Sequence, residues 1–105
     1  MPDETLHPSI STNTQAIADF CTRWGINELS LFGSVLRDDF RPDSDIDVLI
    51  SFAPDADWDY WDWPAMKDDL RAILGRPIDL VVKESLRNPF RRHRILRERR
   101  VIHAA

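Results

Sequence analysis

The chain has a single cysteine, Cys21, among its 105 residues. That excludes an internal disulfide and agrees with a reducing, cytoplasmic setting. Long apolar runs are missing as well: stretches such as residues 48–50 are strand-sized, far below the ~20 residues a membrane helix needs. The opening MPDETLHPSI has no basic start, apolar centre or small-residue cleavage site, so no secretory leader is expected. No Gly-x-x-x-x-Gly-Lys segment occurs, which excludes an ordinary P-loop NTPase. His7, His93 and His103 are too scattered for a zinc site. Nor is there a basic excess: the net charge of −4 argues against a surface that binds nucleic acid non-specifically.

What is present fits one small globular unit over residues 1–105. The length is that of a common single domain, and 43% apolar with 30% charged residues can bury enough surface to offset chain entropy. The charge is unevenly distributed. Residues 53–70 hold Asp55, Asp57, Asp59, Asp62, Asp68 and Asp69 against Lys67, whereas residues 85–105 hold seven arginines against Glu98. The middle is acidic and the end basic. A solvated helix face is the commoner meaning of such a basic run; RNA or an acidic partner is the sharper one.

Periodicity places the elements. Residues 1–10, with two prolines, read as a loose N-terminal arm. Thr12 and Gln15 have the spacing of a capping box, and Ile17, Phe20, Cys21 and Trp24 recur at helical intervals until Gly25. Residues 29–32 read as a strand ending at Gly33, and residues 45–52 as a second, largely buried strand. A loop carrying Trp58, Tyr60, Trp61 and Trp63 precedes a helix marked by Met66, Leu70, Ile73 and Leu74. These four rings either pack on the core or form a functional face. Residues 78–82 read as a third strand, 86–97 as an arginine-rich helix, and 101–103 as a last short strand. This order predicts a small α/β or α+β sheet with helices packed mainly on one side.

The chemistry lies in FGSVLRDDFRPDSDIDVLI, residues 32–50. Positions two apart in a strand share a face, so Asp45 and Asp47 project together. Two such charges about 4 Å apart repel by ~4 kcal/mol at an effective dielectric of 20. A divalent cation turns that repulsion into a binding site. Asp79 is a lone acid among Ile78, Leu80, Val81 and Val82; if its strand lies beside the first, three carboxylates converge, a hard-oxygen donor set suited to Mg²⁺. The competing reading makes Asp79 a buried partner of Arg37 or Arg76. Gly33-Ser34 directly follows a strand and opens a helical turn whose N–H groups suit phosphate, with Arg37 one turn further on. Ser44 positions or caps the following strand.

Gly33-Ser34, Arg37 and Ser44-Asp45-Ile46-Asp47 together resemble the Gly-Ser…Asp-x-Asp signature of the DNA polymerase β type nucleotidyltransferase superfamily. The small size resembles its minimal nucleotidyltransferases, the MntA-like group. The resemblance implies the nucleotidyltransferase fold with a small mixed sheet, catalytic and metal-binding roles for Asp45, Asp47 and Asp79, phosphate contacts from Gly33, Ser34, Arg37 and Ser44, and two Mg²⁺ ions on the triphosphate. It further implies transfer of AMP from ATP to a protein hydroxyl, by an antitoxin acting on a HEPN-type toxin. Two-metal in-line displacement at the α-phosphorus fits those residues. Two alternatives stand beside this. One is a non-catalytic antitoxin that only occludes its partner, which has no need of three repelling carboxylates. The other is an aminoglycoside-type small-molecule transferase, which ordinarily carries a second domain to hold its acceptor.

Overall fold

A computed structural model of the chain describes residues 13–36 and 45–104. Helix α1, Thr14–Trp24, begins where the Asn13 side chain accepts the Ala16 N–H at 3.0 Å. The cap is therefore Asn13. Thr12 lies outside the described residues, and Gln15, its expected capping-box partner, donates instead to Asp19. At the other end Gly25, with φ 70°, takes the left-handed conformation that stops the helix. Strand β1, Ile26–Phe32, follows at once. Strand β2, Ile46–Phe52, runs antiparallel to it, and β3, Ile78–Val82, pairs parallel with β2.

Parallel neighbours need a crossover, and α2, Trp63–Leu74, supplies it with Pro64 in its first turn and Gly75 at its end. Helix α3, Pro89–Glu98, is capped by Asn88 and leads into β4, Arg100–Ala104, antiparallel to β1. The sheet order is β3-β2-β1-β4. This is the mixed α+β architecture expected from the sequence.

Strand alternation divides the packing. Ile46, Val48 and Ile50 of β2 point one way and join Ile17 and Phe20 of α1 and Met66, Leu70 and Leu74 of α2 in the main core. Each such side chain, fully buried, contributes ~1.5–3 kcal/mol. Leu49 and Phe32 point the other way and meet Ile95 of α3 together with Leu86. The two longer helices thus share one face, and the short α3 covers part of the opposite one.

Side-chain ties reinforce this arrangement. Asp69 on α2 accepts from Arg23 at 2.7 Å and from the Trp24 indole at 3.1 Å, joining α1 to α2. Trp58 stacks on Phe52, with ring centroids 4.6 Å apart, and lies 6.0 Å from Trp63. Those two rings of the aromatic loop are packing residues. Trp61, 86% exposed, is not. Among the described residues, no helix is long and apolar enough to cross a membrane.

Candidate active site

The site begins with strand register. Asp47 of β2 faces Phe32 of β1 on one side and Asp79 of β3 on the other. Phe32, Asp47 and Asp79 therefore form one row across three strands, with neighbours ~4.8 Å apart along the sheet. Asp45 is exposed immediately ahead of β2. The row lies on the face that α3 only partly covers.

The competing sequence reading makes Asp79 a buried partner of an arginine. Asp79 is instead exposed, while Ile78 and Leu80 on either side are buried. The reason is the strand's position: β3 is at the margin of the sheet, and only its inward residues meet the core. Among the described residues, no three acids close around a common point as a ready-made metal cluster. The donor set still fits magnesium. Mg²⁺ keeps several waters and takes one or two carboxylates plus substrate phosphates, so it does not require an all-protein cage.

Gly33 forms the adjoining wall. With φ 78° it turns β1 directly into a 3₁₀ helix, Gly33–Leu36. A Cβ built on Gly33 would run into the Asp47 carboxylate. Both the left-handed backbone and the close approach demand glycine. Buried Val35 anchors the turn in the main core, which fixes the Gly33 backbone against Asp47. Ser34 follows Gly33 in the same turn. Arg37 and Ser44, the other residues singled out from the sequence, lie outside the described residues.

One wall of the cleft beside these residues comes from an element the sequence does not single out. A cleft of about 430 Å³ is lined by Phe32, Gly33 and Asp47 on the sheet side and by Arg91, Arg94, Ile95 and Glu98 of α3 opposite. By sequence the arginine-rich end reads most simply as a solvated face. The available signal was Ile95: in a helix with so many charges, its one buried side chain fixes which face turns inward. Arg91, one turn before Ile95, lies on that face, and Arg94, three residues after Arg91, lines the cleft beside it.

Residues 14–102 match the family model described as a nucleotidyltransferase domain. The protein adenylyltransferase MntA of Thermococcus cleftensis is 35% identical over 66 residues, covering 63% of this chain and 65% of that one. The match thus spans just under two thirds of that relative's length. A Methanocaldococcus jannaschii protein classed as a protein adenylyltransferase is 32% identical over 68 residues, covering 65% of this chain and 67% of its own. Among solved structures, a protein classed as a minimal nucleotidyltransferase superposes with a TM-score of 0.67 at 33% identity, covering 83% of this chain and 86% of that one. A toxin-antitoxin structure with AMP-PNP shares the fold, with a TM-score of 0.67 at 19% identity over 89% of this chain and 74% of that one.

Proposed function

The chain belongs to the nucleotidyltransferase domain family, and on that premise we propose that it transfers AMP from ATP to a hydroxyl of a partner protein. The observation that carries this reading is the Asp47–Asp79 register beside Gly33, on the open part of the sheet face. Magnesium held by Asp45, Asp47 and Asp79 would supply the positive charge that stabilises the attacking and leaving oxygens of an in-line displacement.

The chain's own residues do the rest. The backbone at Gly33-Ser34 receives the phosphates; the Ser34 hydroxyl, Arg37 and Ser44 are assigned supporting contacts to them. Asp79, at the sheet margin, orients the incoming hydroxyl and takes its proton. A bond forms between that oxygen and the α-phosphorus, the bond to the bridging oxygen of the β-phosphate breaks, and pyrophosphate leaves.

Support for AMP and for a protein acceptor comes from the relatives, which carry the name protein adenylyltransferase. An antitoxin paired with a HEPN-type toxin is the biological setting we assign. The test is intact mass spectrometry of the chain and its co-encoded neighbour after incubation with ATP and Mg²⁺, comparing wild type with Asp45→Ala plus Asp47→Ala. Adducts of about 329 Da, lost in the variant, are expected, since metal-assisted transfer needs those carboxylates. A stable complex with no adduct would replace this reading with that of an occluding binder.

A further inference from the structure

The arginines of α3 divide into two groups by what they touch. Arg92 donates to the Lys83 carbonyl at 3.1 Å, and Arg99, just past the helix end, pairs with Glu28 at 3.4 Å. Those two hold the helix to the rest of the fold. Arg91 and Arg94 are exposed and line the cleft opposite Gly33 and Asp47. Among the described residues, neither guanidinium makes a hydrogen bond or an ion pair. Ile95, 5% exposed and packed with Phe32 and Leu49, sets that face of α3 toward the sheet.

Arg91 and Arg94 face the Asp47 carboxylate across the cleft, with Glu98 as the one acid beside them on α3, so the helix wall carries a net positive charge. A polyanion that enters the cleft is repelled by Asp47, and the net positive charge of the opposite wall offsets that repulsion. A guanidinium also presents a planar fork that matches two phosphate oxygens, and two forks one helical turn apart suit two successive phosphates.

We infer that Arg91 and Arg94 form a polyphosphate subsite that grips the β- and γ-phosphates of the donor, and so the departing pyrophosphate. This inference rests on the nucleotidyltransferase reading and deepens it by naming the part of the nucleotide that α3 recognises. It makes the site select triphosphates over shorter donors.

Binding of inorganic tripolyphosphate, measured by titration calorimetry on the full chain, tests it directly, because that probe carries no base or sugar. Removing one guanidinium and its charge-assisted hydrogen bonds should weaken binding by about ten-fold or more, so Arg91→Ala plus Arg94→Ala should weaken it by about a hundred-fold. The same variant should raise KM for ATP while changing kcat less. Arg91→Lys plus Arg94→Lys keeps the charge without the fork and should restore only part of the affinity. Arg97→Ala, exposed and outside the cleft, should bind as wild type does. Equal tripolyphosphate binding by wild type and the double alanine variant, with wild type still transferring AMP, would overturn the subsite and leave the enzyme reading standing. A wild-type chain that neither transfers AMP nor binds tripolyphosphate would overturn both.

Discussion

Gly33 and Gly75 offer a controlled experiment on the site. Their backbones are nearly the same, with φ of 78° and 76°. An alanine in that left-handed region costs ~1–2 kcal/mol at either position. Beyond the backbone the two differ, because a Cβ at Gly75 meets nothing within 4 Å, whereas at Gly33 it meets the Asp47 carboxylate. Gly75→Ala should therefore lose only the backbone cost, a fall in Tm of about 4–16 °C for a domain of this size. Gly33→Ala must also push Asp47 off its rotamer, a further ~0.5–1.5 kcal/mol. Displacing that carboxylate by about 1 Å should slow AMP transfer on the order of 100-fold. Circular dichroism melts give the stability difference, and transfer rates taken well below both melting temperatures give the functional one. Equal destabilisation of the two variants, with Gly33→Ala transferring AMP as fast as Gly75→Ala, would refute the claim that the glycine exists to admit the carboxylate.

Three further outcomes follow from the same structure. Asp79→Asn removes one of two like charges placed directly opposite each other, so it should raise stability by up to ~1 kcal/mol at low salt and less at high salt, while transfer collapses; calorimetry at two ionic strengths checks this, and a lower Tm would contradict it. Ile95→Ala should cost ~2–5 kcal/mol in urea unfolding and impair transfer although no charged group is altered, whereas Ile95→Val should cost only ~0.5–1.5 kcal/mol. Burial pushes the Cys21 thiol from 9.0 up to about 12, so between those values the unfolded chain ionises and the native one does not. Stability should be intact below pH 9 and fall above it, by up to ~1.4 kcal/mol per pH unit. Cys21→Ala, though less stable at neutral pH, should show a flatter alkaline decline, and an unchanged slope would remove the thiol as its cause.

Much of the site was legible because its logic is local. The two-residue period of a strand suggested a shared face for Asp45 and Asp47, although β2 begins only at Ile46, and Gly33-Ser34 lies at the neighbouring strand's end beside Asp47. Asp79 required a guess about which strands pair, and the β2–β3 register supplied the answer, residue against residue. Its exposure was not legible, since an apolar run looks the same in a central strand and in a marginal one. The helix cap falls one residue from the expected position because Thr12 and Asn13 are both good capping residues, and only geometry shows that the Asn13 oxygen reaches the Ala16 N–H. The place of α3 along the cleft was hidden for a different reason. An arginine-rich stretch reads as solvated until a tertiary contact orients it, and that contact, Ile95 against Phe32 and Leu49, joins residues far apart in sequence. The aromatic loop split in the same way, with Trp58 and Trp63 packed and Trp61 left in water.

On the proposed AMP-transfer reading, the placement of β3 constrains which acceptors are reached. Among the described residues, no strand pairs with its outer side, so Asp79 stands at an open shoreline rather than at the bottom of a well. An acceptor need not be small enough to enter a cavity, and its bulk can stay outside while one side chain reaches in sideways. Size then ceases to be a filter. Selection falls on reach: a hydroxyl on a protruding loop or a free tail can arrive at the acid row, and the same hydroxyl on a flat, rigid surface cannot.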